Sequence, residues 1–278
     1  MQNEQIFKGL LLVSDIDGTL ASLNDIPRKN IDAIKRFISL GGKFTLCTGR
    51  PRCAIQEILA QIEVNAPIIT INGGYLYSPE DNHVLFETNL PAGIKDFVFD
   101  LLKHFPDIGA MLVEPDNYWV ICWGDESITG IEKRKAMYLS QKCCRSFYDP
   151  EAPTSWHKVV LIVPPDRVGT VRKYIEEQNP KGFYPVRSDA FYLELVPEGT
   201  DKGRGMNLVK DFLGAKKTAA IGDRENDHSM LIAADFSAVP NDGERNLQKE
   251  VDFIVDSCDN GSVADFIARL EQTYRPQL

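Results

Sequence analysis

The chain has 278 residues, 43% of them apolar and 26% charged, as is usual for a soluble globular protein of one large or two modest domains. Its formal net charge of -9 argues against a nucleic-acid-binding or an anionic-membrane-binding surface. None of the six cysteines forms a C-x-x-C pair, so a zinc site is not expected. We recognise no signal peptide and no apolar run of membrane-spanning length, so we expect a cytoplasmic protein with reduced thiols.

An uninterrupted apolar run at residues 10–13 predicts a strand that is buried on both faces, as in a parallel sheet. Asp15 and Asp17 follow at its carboxyl end, where open α/β sheets bind ligands. Two adjacent carboxylates repel each other unless a cation lies between them, and a hard divalent cation such as Mg²⁺ suits them. For this D-x-D pattern alone, an Asp-rich turn remains the alternative. A calcium loop is excluded, because Leu20 and Ile26 stand where that loop requires Gly and Glu.

The next segments alternate between helix and strand. We predict a helix at 27–40, a strand at 43–48, a helix at 51–62 and a strand at 67–72. Strands separated by helices in this way indicate a right-handed parallel arrangement.

The pattern changes after residue 80 to a mixture of strands and helices, which predicts a separate inserted domain. Its expected strands lie at 83–88, 109–113, 118–123, 156–163 and 182–187, and its helices at 91–105, 133–142 and 165–178. The first pattern then returns with strands at 190–196, 216–221, 237–240 and 251–255, helices after 201 and after 227, and a last helix from 262. We therefore predict a core of residues 1–80 and 190–278 and an inserted α+β domain of residues 81–189.

Polar residues follow four of the predicted core strands. In chain order they belong to D-x-D-G-T-L at 15–20, T-G-R at 48–50, P-x-G-x-x-K-G at 197–203 and G-D-x-x-N-D at 222–227. This ordered set resembles the four motifs of the haloacid dehalogenase superfamily, and the insertion lies where its Cof-type branch carries a large cap. The resemblance implies a Rossmann-like, three-layer α/β core with a parallel sheet, plus an inserted α+β cap domain.

By the same resemblance, Asp15 is the nucleophile, and Asp17 is the general acid for the leaving alkoxide and then the base for the hydrolytic water. The family binds Mg²⁺ through the carboxylate of Asp15, the backbone carbonyl of Asp17 and the carboxylate of Asp223. Asp227 is implied as an outer or water-mediated ligand. Mg²⁺ is thus the expected cofactor.

The resemblance also implies phosphate-binding and substrate-binding roles for Thr48, Gly49, Arg50 and Asn226. It places Lys202 as a catalytic bridge between the phosphate and the nucleophile. Taken singly, Thr48 could cap the following helix, Lys202 could be a solvated lysine, and Arg50 could pair with a surface acid.

Two neighbouring features receive no catalytic role at this point. We assign no chemistry to the close-packed N-G-G loop at 72–74, and we expect Arg224 to face solvent because an inward side chain would compete with the metal.

The sequence therefore predicts a Mg²⁺-dependent phosphatase that hydrolyses small phosphorylated metabolites, with sugar phosphates as the first choice, through an aspartyl-phosphate. A sugar phosphomutase remains an alternative, because mutases of this superfamily share the D-x-D-G-T motif. A sensor that binds a phosphorylated ligand without turnover is the other alternative. The expected partner is a small metabolite, with no nucleic acid or membrane. The substrate, the pathway and the oligomeric state are left open.

Overall fold

The computed structural model describes residues 5–127 and 130–275. Its strands are β1 (Leu10–Ser14), β2 (Lys43–Leu46), β3 (Ile68–Thr70), β4 (Tyr75–Tyr77), β5 (Val84–Glu87), β6 (Gly109–Val113), β7 (Tyr118–Cys122), β8 (Cys144–Ser146), β9 (Lys158–Ile162), β10 (Phe183–Arg187), β11 (Tyr192–Pro197), β12 (Lys217–Ile221), β13 (Phe236–Pro240) and β14 (Phe253–Val255). Its α-helices are α1 (Arg28–Ser39), α2 (Gln56–Leu59), α3 (Ile94–His104), α4 (Ile131–Leu139), α5 (Val168–Glu177), α6 (Lys202–Leu213), α7 (His228–Ala233) and α8 (Ser262–Tyr274). Within the described ranges, no helix has both the length and the apolar character needed to cross a bilayer.

The chain divides into two compact units. The first unit comprises Met1–Gly49, Ile55–Phe86 and Asp201–Leu278, and the second comprises Arg50–Ala54 and Glu87–Thr200. The boundaries predicted from the sequence are 80/81 and 189/190. The division into a catalytic core and a cap, as functional domains, stays a prediction.

A five-stranded parallel sheet organises the first unit, with strand order β14-β13-β12-β1-β2. All five residues of β1 are buried, as expected for a strand covered on both faces. Apolar side chains of α6 and α7 pack with Leu11 and Val13 of β1. Helices α1 and α8 pack on each other and contact β2 and β14, respectively. The predicted α/β class with a parallel sheet is confirmed.

The strand predicted at 67–72 does not continue the parallel sheet as a regular third strand. β3 pairs antiparallel with β4 in a small sheet of order β3-β4-β5, and a single parallel bridge between Cys47 and Ile69 joins it to the end of β2. β4 is not predicted from the sequence, because three residues directly after two glycines give too short a pattern. Asn72, expected at the strand end, instead lies in a 3₁₀ turn with φ of 55°.

The second unit contains a six-stranded sheet of order β10-β11-β9-β6-β7-β8. Apolar side chains of α3 and α5 cover one of its faces. The strand predicted at 190–196 was assigned to the returning core, but β11 pairs antiparallel with both β9 and β10. Its side chains Leu193 and Leu195 belong to the hydrophobic cluster of this unit, which explains the pairing.

Candidate active site

The ends of two neighbouring parallel strands bring the first and last motifs together. β1 pairs with β12 so that Ser14 lies opposite Ile221, and the amide of Asp15 donates to the carbonyl oxygen of Ile221 at 3.0 Å. Asp15 and Asp223 therefore leave the sheet at the same edge. Both are buried, with 5% and 3% of their surface exposed, respectively. This is the position at which an open α/β sheet presents its ligand-binding groups.

Lys202 lies at the centre of the cluster. Its Nζ donates to Asp15 Oδ1 at 2.6 Å and to Asp227 Oδ1 at 2.6 Å. Lys202 is the first residue of α6, and the preceding Asp201 caps this helix by accepting from the amide of Arg204 at 2.8 Å. A cation in the first turn of a helix is repelled by the helix dipole, and the two carboxylates offset this repulsion. The alternative of a solvated lysine is inconsistent with an exposure of 1%.

The two oxygens of Asp227 have separate tasks. While Oδ1 accepts from Lys202, Oδ2 accepts from the backbone amides of Asp223 and Arg224 at 2.9 and 3.0 Å. Asp227 thereby holds the lysine and the G-D-x-x-N-D turn in one arrangement. One oxygen each of Asp15, Asp223 and Asp227 lies within 4.8 Å of the other two, a spacing at which the three could hold a metal ion.

The crowding of buried carboxylates changes their protonation. Burial, with the charges of Asp227 and Asp17, raises the pKa of Asp15 to about 7 against the opposing effect of Lys202. Burial, with the charges of Asp15 and Asp227, raises the pKa of Asp223 to about 8. Burial alone lowers the pKa of Lys202, but the charges of Asp15 and Asp227 raise it well above its usual value. One ammonium group does not balance this set of carboxylates, so the site favours a further cation.

Asp17 differs from Asp15 in accessibility, because it is exposed whereas Asp15 is buried. Between Asp17 and the buried Thr19, Gly18 adopts a φ of +76°, which lets the chain turn next to the carboxylate of Asp223. The Thr19 hydroxyl donates to Asp223 Oδ1 at 3.3 Å. The first motif therefore also orients an aspartate of the fourth motif. This role of Thr19 is not among the predictions from the sequence, although its place in D-x-D-G-T was the available signal.

Thr48 is fully buried, and its backbone connects two loops of the first unit. Its amide donates to the carbonyl oxygen of Ile69, and its own carbonyl oxygen accepts from the amide of Asn72, both at 3.0 Å. The side chain of Asn72 in turn accepts from Asn226 Nδ2 at 3.2 Å. Asn72, for which no chemistry is predicted from the sequence, thus positions a predicted substrate-binding residue.

The remaining predicted residues divide between the units. Gly49, half-buried, directly follows Thr48 in the first unit. Arg50 belongs to the second unit, where its Nη1 donates to the carbonyl oxygen of Ala54 at 3.3 Å. Direct contacts join Lys202 to Asp15 and to Asp227, and Asp227 accepts from the backbone amide of Asp223. The substrate-binding role of Arg50 stays a prediction.

The side chain of Arg224 makes a contact that was not expected. It is 44% exposed, in line with the expectation that it faces solvent, but its Nε also lies 3.0 Å from Asp223 Oδ2. Asp223 is a buried carboxylate next to two others, so the adjacent guanidinium is attracted to it.

Comparisons with known proteins identify related sequences and a related fold. A family profile described as haloacid dehalogenase-like hydrolase matches residues 12–267. A Streptococcus pyogenes protein provisionally named a phosphatase is 26% identical over 271 residues, which cover 93% of this chain and 97% of that protein. The 5-amino-6-(5-phospho-D-ribitylamino)uracil phosphatase YitU of Bacillus subtilis is 22% identical over 230 residues, covering 81% of this chain and 83% of YitU.

A solved structure described as a subclass IIB sugar phosphatase of the haloacid dehalogenase superfamily has the same fold. It superposes with a TM-score of 0.77 at 20% sequence identity, covering 94% of this chain and 98% of that one. The fold, the order of the four motifs and the profile match over 12–267 lead to one assignment: the chain belongs to the haloacid dehalogenase-like hydrolases and is an enzyme of that hydrolase class.

Proposed function

We propose that this hydrolase is a Mg²⁺-dependent phosphatase acting on small phosphorylated metabolites, with sugar phosphates as the first candidates. The observation that carries the proposal is the buried Asp15–Lys202–Asp227 arrangement, with both contacts at 2.6 Å, beside a third buried carboxylate. The names of the similar proteins, which include a sugar phosphatase and a phosphoribityl-aminouracil phosphatase, support the reaction class. The cytoplasmic location predicted from the sequence is part of the same proposal.

The donor set fits a hard divalent cation. Carboxylate oxygens are the ligands that Mg²⁺ prefers, and no soft sulfur or imidazole ligand belongs to the Asp15, Asp223 and Asp227 group. In the proposal, Asp15 and Asp223 hold the ion with the backbone carbonyl of Asp17. When bound, Mg²⁺ supplies positive charge that neutralises a phosphate and stabilises its developing transition-state charge.

The chain's own residues would carry out two displacement steps. An oxygen of Asp15 attacks phosphorus, the bond to the ester oxygen breaks, and Asp17 gives its proton to the departing alkoxide. Asp17 then accepts a proton from water as that water attacks the phosphorus of the aspartyl-phosphate, which releases phosphate and restores Asp15. The burial of Asp15 and the exposure of Asp17 support this division, because only the acid–base group must exchange protons with leaving group and solvent.

Lys202 would hold the nucleophile and bind a phosphate oxygen. The contact with Asp15 at 2.6 Å fixes the carboxylate and keeps the lysine protonated, so it presents a charge at all physiological pH values. Thr48 and Asn226 would bind other phosphate oxygens, with Asn72 orienting Asn226 at 3.2 Å. The second unit is proposed as the cap that selects the leaving group.

Phosphate release from a panel of sugar phosphates and p-nitrophenyl phosphate tests the proposal, with and without Mg²⁺. We expect metal-dependent turnover in the wild type and a loss of at least about 10³-fold in Asp15→Asn. Asp17→Asn should lose about 10²- to 10⁴-fold, as expected for a general acid–base group. Asp25→Asn, an exposed aspartate of the same unit, is the matched control and should retain activity.

Three outcomes count against the proposal. Turnover that survives in Asp15→Asn would exclude the nucleophile assignment. Faster isomerisation than hydrolysis of a hexose phosphate would favour a phosphomutase. Saturable Mg²⁺-dependent binding without phosphate release would favour the ligand sensor.

A further inference from the structure

One cation of the site has no part in the proposed reaction. Arg224 follows Asp223 in the G-D-x-x-N-D turn, and its Nε lies 3.0 Å from Asp223 Oδ2. The carboxylate side chain is 4% exposed, whereas the arginine side chain is 44% exposed. The guanidinium therefore reaches a buried carboxylate from the solvent side.

The positive charges of the cluster are divided between two residues. Lys202 contacts Asp15 and Asp227, and Arg224 contacts Asp223. Each of the three buried carboxylates consequently has a cationic partner. Of these two cationic side chains, Arg224, the partner of Asp223, is substantially exposed to water, whereas Lys202 is buried.

Both oxygens of Asp223 are engaged in this arrangement. Oδ1 accepts from the Thr19 hydroxyl at 3.3 Å, and Oδ2 pairs with Arg224 at 3.0 Å. A divalent cation bound through Oδ2 would have to displace the guanidinium. One bound through Oδ1 would share a single carboxylate with it and be repelled by its charge.

We propose that Arg224 competes with the divalent cation for Asp223, so that this residue lowers the metal affinity of the site and stabilises its metal-free form. The inference rests on the proposed function only in taking Asp223 as a metal ligand. Arg224 is exposed enough to swing into solvent when the ion binds, so competition, and not a permanent block, is the expected behaviour.

Magnesium binding to the EDTA-stripped full-length chain tests this inference by calorimetry, together with thermal unfolding at increasing Mg²⁺ concentration. The variant is Arg224→Gln. Arg245→Gln is the matched control, because it removes the same charge from an exposed residue next to Glu244, whose amide donates to the Asp223 carbonyl oxygen at 2.9 Å. Neither readout depends on catalytic activity.

We expect Arg224→Gln to lower the Kd for Mg²⁺ by about five- to tenfold, because the metal no longer has to displace a charge-assisted contact between the guanidinium and Asp223. Its metal-free Tm should fall, and its Mg²⁺-induced rise in Tm should exceed that of the wild type. Arg245→Gln should change the Kd by less than about twofold, because long-range surface charges are screened.

The same data separate two kinds of failure. An unchanged or weaker Kd in Arg224→Gln, or an equal change in Arg245→Gln, would overturn the competition while leaving the metal assignment intact. Absence of Mg²⁺ binding in the wild type and in both variants would overturn the metal assignment and, with it, this inference.

Discussion

Replacing Lys202 by Met removes the ammonium group from between Asp15 and Asp227. The lysine is 1% exposed and makes both contacts at 2.6 Å, so the variant leaves buried carboxylates without their cation. Breaking a buried pair in this way costs about 3–5 kcal/mol of unfolding free energy. We expect a loss of that size at pH 8 in EDTA.

The loss should be smaller at pH 6. The pKa of Asp15 is already about 7, and removal of the ammonium raises it further. Between pH 7 and the new pKa, the folded variant holds about one proton more than the folded wild type, so the difference in stability grows with pH. One pH unit of that difference corresponds to about 1.4 kcal/mol, so the loss at pH 6 should be lower by up to this amount.

Urea unfolding measures the effect. Far-UV circular dichroism follows the helices of both units, whereas Trp fluorescence follows only the second unit, which contains all three Trp. Lys158→Met is the control, since Lys158 is equally buried and pairs with Glu194 at 2.9 Å in the second unit. Mg²⁺ should stabilise Lys202→Met more than the wild type, and Lys158→Met no more than the wild type. An unfolding free energy of Lys202→Met within about 0.5 kcal/mol of the wild type at pH 8 would refute the reasoning.

Three further predictions follow from the same cluster and its supports. Burial raises the pKa of Asp15 to about 7 and that of Asp223 to about 8, so the folded chain holds more protons than the unfolded chain and the metal-free Tm should fall from pH 5 to 8. Mg²⁺ binding at pH 7 should release these protons, which calorimetry in buffers of different ionisation enthalpy measures. Gly73→Ala should lower the free energy of unfolding by about 2–4 kcal/mol, because φ is +89° and a Cβ would meet the Asp201 backbone. Gly93→Ala is the control: its φ is +91° but a Cβ there would lie in open space, so denaturant unfolding should show a loss of only about 1–2 kcal/mol. Asn72→Gly keeps the φ of 55° accessible but removes the contact to Asn226, so kcat/KM should fall several-fold. An unchanged kcat/KM would exclude the positioning role.

Much of the buried charged cluster could be predicted because its residues lie at fixed offsets from strand and helix ends. Asp15 follows a fully apolar strand, and Lys202 begins a helix that Asp201 caps. Local rules of this kind act within a few residues. They were sufficient to predict the parallel sheet and the buried ends of its strands.

The failures concern long-range contacts that no local pattern encodes. β11 was assigned to the wrong sheet, because an apolar strand can pair in either unit and only its partners β9 and β10 decide between them. Asn72 was given no role, because the contact of its side chain with Asn226 spans 154 positions of the chain.

The sequence by itself determined the family, the α/β class and the identity of the acidic and basic residues at the sheet edge, since these depend on composition, periodicity and ordered motifs. The resemblance already implied that Lys202 lies beside Asp15. Only the tertiary structure showed that Lys202 also pairs with Asp227 and that Arg224 pairs with Asp223. The physical reason is that Coulomb attraction depends on distance and burial, and neither is defined until strands far apart in the chain lie side by side.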